Sequence, residues 1–176
     1  YKNFIVTDTM QTTELDPTLS QTLDNAEKSG LKLVIANKNY SSWSMRPWVA
    51  MTAFNIPFQE ISVLLDRSDT TMQIAHYSAA GRVPVLLAGE TTIWDSLAIC
   101  EYLAEQFPEK KMWPEDVAAR ALARSICAEM HSGFTGVRSA MWMNIRAKFP
   151  GKGRTIEAQA DICLLYTSPS PRDQRG

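Results

Sequence analysis

Histidine is nearly absent: His76 and His131 are the only two in 176 residues. They stand too far apart for a metal-ligand spacing, so no metal is expected. Cysteine is scarce as well. Cys100, Cys127 and Cys163 are odd in number and widely separated, which excludes a disulfide framework and reads as reduced thiols in a cytoplasmic protein. Neither sign of charge dominates: 18 basic residues face 19 acidic ones, for a formal net charge of −1. Basic residues form no extended run, so neither nucleic acid nor anionic membrane is expected as the main partner. No apolar run approaches the roughly 20 residues of a membrane span. No charged segment followed by an apolar core opens the chain, so a secretory signal is not expected.

What is present is apolar material, 45% of the residues, enough for one full domain or two small ones. The ends differ from the middle. Residues 1–30 are rich in Thr, Asp, Asn and Ser and keep no hydrophobic period; they read as a disordered or non-native extension. Residues 163–176, "CLLYTSPSPRDQRG", break off a helical pattern and resemble translated sequencing-adapter sequence, so an artefactual tail is expected there.

Between the ends the pattern is regular. "LKLVIA" (Leu31–Ala36) reads as a buried strand, followed by a helix from about Ser44 to Phe54 that Asn55 and Pro57 close. "FQEISVLL" (Phe58–Leu65) alternates as a strand does. A short helix then holds Met72, Ile74, Ala75 and Tyr77. "VPVLLAGE" and "TTIW" form a hairpin through Gly89, and "DSLAICEYLAEQF" is an amphipathic helix stopped by Pro108. The order β-α-β-α-β-β-α implies a mixed sheet whose first strand pair is parallel, an α/β thioredoxin-like domain over 31–108. Residues 109–116 are a proline-punctuated linker with Trp113 as its aromatic anchor. A helical pattern follows from 117, as one helix or two with the break at Ser132–Gly136, closed by Gly151 and Gly153. "TIEAQADI" starts another helix, so 117–162 reads as the start of an all-α domain.

The loop "NKNYSSWSMRPW" (Asn37–Trp48) contains no Cys, His, Asp or Glu. A serine hydroxyl is too weak an acid to act alone as nucleophile. It can instead donate a hydrogen bond to a thiolate that another molecule supplies, aided by the helix amino terminus. Serines also cap helices, which is the plain structural role of Ser41, Ser42 and Ser44.

"SSWSMRPW", "GRVPVL" and "DSLAICEYL", in this order and followed by the proline linker, resemble the amino-terminal half of a glutathione S-transferase. The nearest flavour is the bacterial serine type related to the zeta class. The resemblance covers about Leu31 to Ile162. It implies a glutathione-binding thioredoxin-like domain, a partial carboxy-terminal helical domain that is truncated here, and a homodimer when full length. It also implies glutathione as cosubstrate and transfer of its thiolate to a small electrophile. Ser41 matches the catalytic serine and Ser42 its neighbour. Arg46 matches the family arginine, and Trp43 stands where the zeta pattern has Cys, which argues against maleylacetoacetate isomerisation. Pro84 matches the cis-proline that presents the Val83 backbone to a peptide-like ligand, and Arg82 lies beside it. Asp95 and Ser96 match the helix start that receives the γ-glutamyl end, Ser96 meeting its carboxylate and Asp95 its ammonium. Leu97, Ile99 and Leu103 are expected in the core, both histidines on helix surfaces, and Cys100 and Cys127 as packed, inert thiols. Met130, Phe134, Arg138 and Trp142 share helical spacing, but nothing marks them as a pocket. The alternatives are a non-enzymatic glutathione-transferase-like binding or regulatory protein, and a glutathione-dependent isomerase or peroxidase.

Overall fold

The computed structural model describes residues 29–167. The expected extension over 1–30 lies, apart from Ser29 and Gly30, outside the described residues. Strand β1 (Leu31–Ala36) has the expected bounds and is buried along nearly its whole length. It pairs in parallel with β2 (Gln59–Val63) and antiparallel with β3 (Val85–Ala88), which pairs antiparallel with β4 (Thr91–Trp94). The sheet order is β2-β1-β3-β4. Both faces of β1 are covered, as a sheet with helices on two sides requires. Leu33 and Ile35 join Met51, Ile99 and Leu103 under helices α1 (Ser42–Ala53) and α3 (Ser96–Gln106). On the opposite face Val34, Val63 and Val85 meet Ile74 of α2 (Thr70–Tyr77).

Local chemistry sets several boundaries. Helix α1 starts two positions before the expected Ser44, because Ser41 is its cap and accepts from the Ser44 amide. Pro47 therefore lies inside the helix rather than in its first turn. Asn55 adopts the left-handed conformation (φ 52°) that ends this helix. Strand β2 is shorter than Phe58–Leu65 because the Leu65 amide donates to Asn37 Oδ1 at 2.7 Å rather than to the ladder. Gly89 takes the positive φ (60°) of the hairpin turn.

After a 3₁₀ turn at Pro108–Lys110, α4 (Val117–Ser132) lies along α3. Glu101 fixes the crossing: it accepts from Trp113 Nε1 at 3.2 Å and from Arg124 Nη2 at 3.0 Å. The break falls at Gly133–Phe134, where Phe134 is left-handed (φ 60°). Helix α5 (Thr135–Ala140) is short, and the helical pattern expected to run on to Phe149 is not helical there. The amides of Ile145 and Arg146 are bonded instead to Asn39, so they are unavailable to a helix. Helix α6 (Ile156–Thr167) continues past Cys163, where the tail was expected to break the helix; residues 168–176 lie outside the described residues.

Helices α5 and α6 touch backbone to backbone at Gly136. A Cβ there would sit 2.6 Å from the Glu157 carbonyl carbon and 2.8 Å from the Ala158 amide nitrogen. Since neither neighbour is a flexible side chain, Gly136→Ala should cost about 1–3 kcal/mol through forced separation of the helices. A thermal melt checks this. An unchanged midpoint would mean that α5 can move aside without penalty.

Candidate active site

A cleft of about 810 Å³ opens where the carboxyl edge of the sheet meets the amino termini of α1 and α3, with α4 as its far wall. Arg82, Val83 and Pro84 form one side, Asp95 and Ser96 the other, and Trp43 and His131 narrow it between them. The Val83–Pro84 peptide is cis. The β3 ladder begins only at Val85, so Val83 contributes to the cleft without a strand partner. Pro84 is buried and Arg82 exposed.

The α3 start is more heavily used than a bare helix end. Asp95 Oδ1 accepts from the amides of Leu97 at 2.9 Å and Ala98 at 3.3 Å. The cap thereby takes two of the helix's free amides. Ser96 is 1% exposed and its Oγ accepts a long hydrogen bond from Arg46 Nη1 (3.4 Å). Its own hydroxyl proton remains to be donated. Asp95 Oδ2 is paired with His131 Nε2 at 3.1 Å.

Ser41 and Ser42 do not line this cleft. Ser41 is 9% exposed and its hydroxyl bonds to Ser44 Oγ at 2.9 Å. Ser44 Oγ in turn accepts from the Ala36 amide at 3.1 Å, tying the end of β1 to the first turn of α1. Ser42, the first helical residue, is half-buried.

Four residues outside the expected set, Trp43, Arg46, His131 and Arg138, shape the site. His131 was expected on a helix surface, but α4 carries it into the cleft, where it meets Asp95, the Trp43 ring in a T-shaped contact (5.1 Å between centroids) and Arg46 Nη1 (3.3 Å). Arg46 stacks 4.1 Å from the Trp43 ring centre and Arg138 4.7 Å from it. The Trp43–Arg46 spacing of three along α1 is a signal that sequence alone carries. The approach of His131 and Arg138 depends on how two helices cross, which no local pattern encodes. Burial, then the neighbouring Arg138 charge, pulls the Arg46 guanidinium below its ordinary pKa. Among the described residues, no cluster of metal-ligating side chains exists.

Next to the cleft lies an apolar pocket of about 360 Å³, lined in part by Leu97, Cys100, Ile126, Cys127 and Met130. Leu97 thus borders a pocket rather than the core, whereas Ile99 and Leu103 are fully buried. Burial pushes the Cys100 thiol up to about 11, and burial also raises Cys127.

Comparison with known proteins agrees with this geometry. Residues 40–106 match the family described as Glutathione S-transferase, N-terminal domain. Glutathione S-transferase 1 of Dianthus caryophyllus is 32% identical over 101 residues, 57% of this chain and 45% of that protein. A zeta class glutathione S-transferase of Euphorbia esula is 33% identical over 92 residues, 52% of this chain and 41% of that protein. Among solved structures, a glutathione transferase homolog from Burkholderia with bound glutathione superposes with a TM-score of 0.53 at 28% identity. The match covers 62% of this chain and 60% of that one. Residues 40–106 thus carry a glutathione S-transferase amino-terminal domain, with the thioredoxin-like fold. The chain spans about half the length of the curated relatives it matches.

The two pocket thiols should be poor nucleophiles at neutral pH. A raised thiol pKa keeps the protonated, unreactive form until the pH approaches that value. Iodoacetamide should therefore modify the exposed Cys163 well before Cys100, whose rate should climb until the pH nears about 11. Peptide mass mapping across a pH series reads this. Equal labelling of Cys100 and Cys163 at neutral pH would contradict it.

Proposed function

We propose that the cleft binds glutathione and that the chain is part of an enzyme transferring the glutathione thiolate to a small electrophile. The observation that carries this reading is the pairing of the Val83–Pro84 turn with the Asp95–Ser96 helix start across one cleft. A short peptide laid between them could pair its backbone with Val83. At the other end, the Ser96 hydroxyl would donate to the γ-glutamyl carboxylate, and Asp95 would accept from the ammonium, sharing the ion with His131. Arg82, at the rim, would meet the peptide's glycine end. In this reading residues 31–108 form the glutathione-binding domain and 117–162 begin a helical domain. The complete protein would work as a cytoplasmic homodimer.

Ser41 is the proposed thiolate stabiliser, with Ser42 as its neighbour. The Ser41–Ser44 hydrogen bond can carry its proton from either side. When Ser44 donates to Ser41, the Ser41 proton is released toward the start of α1. There the hydroxyl and the helix dipole both favour the charged sulfur. The thiolate then attacks the electrophilic carbon, a thioether forms, and the leaving group departs with the bonding pair. The same thiolate would serve a glutathione-dependent isomerase or peroxidase.

The inward-facing Ser41 hydroxyl favours one competing reading, a protein that binds glutathione without turnover. Retention on immobilised glutathione together with turnover of a generic aryl halide supports the transferase. Retention alone supports the binding protein.

Three substitutions separate the roles. Ser41→Ala should lower kcat about ten- to a hundredfold, matching the roughly 1.5–3 kcal/mol of a hydrogen bond to a charged group. Its KM for glutathione should barely change. If Ser42→Ala causes that loss and Ser41→Ala does not, the roles of the two serines are reversed. Ser96→Ala should chiefly raise the KM for glutathione, because that contact is the same in ground and transition states. Unchanged glutathione dependence would remove Ser96 from the site.

A further inference from the structure

The loop between β1 and α1 is held from outside by a part of the chain that no motif identifies. Between α5 and α6 the chain returns across the molecule and lies against Asn39. Asn39 bonds it with every polar group it has on that side. Its carbonyl accepts from the Ile145 amide at 3.3 Å and its Oδ1 from the Arg146 amide at 3.0 Å. Its Nδ2 donates to Asn144 Oδ1 at 2.9 Å. Asn144 Oδ1 accepts further from the amides of Arg146 at 3.3 Å and Ala147 at 3.2 Å. One oxygen thus folds the returning segment into an Asx-type turn and joins it to the loop. Beside this knot the ring of Tyr40 packs against Trp142 at 6.4 Å.

We propose that Asn144 is a positioning residue, whose Oδ1 holds Asn39 and thereby keeps the 37–41 turn oriented so that Ser41 sits at the start of α1. This rests on the reading of Ser41 as thiolate stabiliser. The mechanical link is short. The amides of Tyr40 and Ser41 both donate to the Asn37 carbonyl, at 3.0 and 2.9 Å, so Asn39 is the apex of the turn that delivers Ser41. Asn37 itself is anchored on the sheet side through the Leu65 amide at 2.7 Å. The turn is therefore clamped at its base by the Leu65 amide just past β2, and at its apex by the Asn144 side chain together with the Ile145 and Arg146 amides. Release of the apex would leave the cleft walls at Val83 and Ser96 untouched, since these belong to other elements. The effect should fall on the chemical step rather than on glutathione binding.

All three contacts of Asn144 use its oxygen as acceptor, which makes the proposal testable by a conservative exchange. Aspartate keeps the shape and the acceptor; leucine keeps the size and loses it. The test uses the 176-residue chain with glutathione and a generic aryl halide, and deuterium exchange at the loop amides as a readout independent of activity. Asn144→Leu should lower kcat about tenfold and leave the KM for glutathione within about twofold. Exchange of the Tyr40 and Ser41 amides should accelerate about tenfold, while β1 stays protected. Asn144→Asp should restore both readouts to near the original values. If Asn144→Leu fails to fold, Asn144→Ala removes the same acceptor with less steric change. Normal kcat and normal loop exchange in the folded variants would overturn the proposal. So would an Asn144→Asp variant as impaired as Asn144→Leu. If turnover of the unsubstituted protein does not depend on Ser41, the thiolate reading fails instead, and exchange alone decides the clamp. Faster loop exchange in Asn144→Leu with rescue in Asn144→Asp then supports it, and unchanged exchange overturns it.

Discussion

The cleft depends on the carboxylate of Asp95, which divides its two oxygens between two parts of the molecule. Oδ1 caps α3 by accepting from Leu97 and Ala98, and Oδ2 reaches His131 on α4. To do both, Asp95 adopts a φ of 82°, a backbone conformation that L-residues rarely take up and that persists only where surrounding contacts over-determine it. Those contacts are the cap and the histidine. His131, once held, places its Nδ1 side against Arg46 and its ring nearly at a right angle to that of Trp43. One residue at a helix start therefore aligns the sheet domain with the helix that closes the cleft.

The opposite wall is arranged around an indole. Arg46 and Arg138 both lie over Trp43, at 4.1 and 4.7 Å from its ring centre. Two guanidinium groups so close repel each other, and the repulsion is part of what depresses the Arg46 pKa. The electron-rich ring faces offset some of that repulsion. Arg138 is further satisfied by the carbonyls of Gly133 and Met130 near the end of α4, where a cation complements the helix dipole. Trp43 is thus bound up with the packing of α4 and α5 against α1.

Much of the sheet domain was legible in the residues. The bounds of β1, the hairpin at Gly89, the cap at Asp95 and the stop at Pro108 each follow from chemistry within a few neighbouring residues. The same is true of the turns at Asn55 and Gly133. The Val83–Pro84 and Asp95–Ser96 segments were singled out by resemblance, and each sits at the junction of two elements with its own turn or cap geometry. Where local reading went astray, a distant partner had intervened. Residues 141–149 continue an apolar helical rhythm, yet the amides of Ile145 and Arg146 bond to Asn39. Ser41 and Ser44 look alike in sequence, and only the Ala36 amide at the end of β1 distinguishes the hydroxyl that bridges to the strand.

By itself, the sequence determined a thioredoxin-like sheet domain with helices after it, the positions of its turns and caps, and a chemistry lacking any nucleophile of its own at the loop. These are consequences of short-range hydrogen bonding and hydrophobic period, which act between residues close in the chain. Only the tertiary structure decided that His131 enters the cleft, that Arg138 shares Trp43 with Arg46, and that Asn144 grips the loop at Asn39. Each of those contacts joins elements far apart in sequence. Helix crossing and the path of the returning segment set them, through shape and packing that no single stretch of residues encodes.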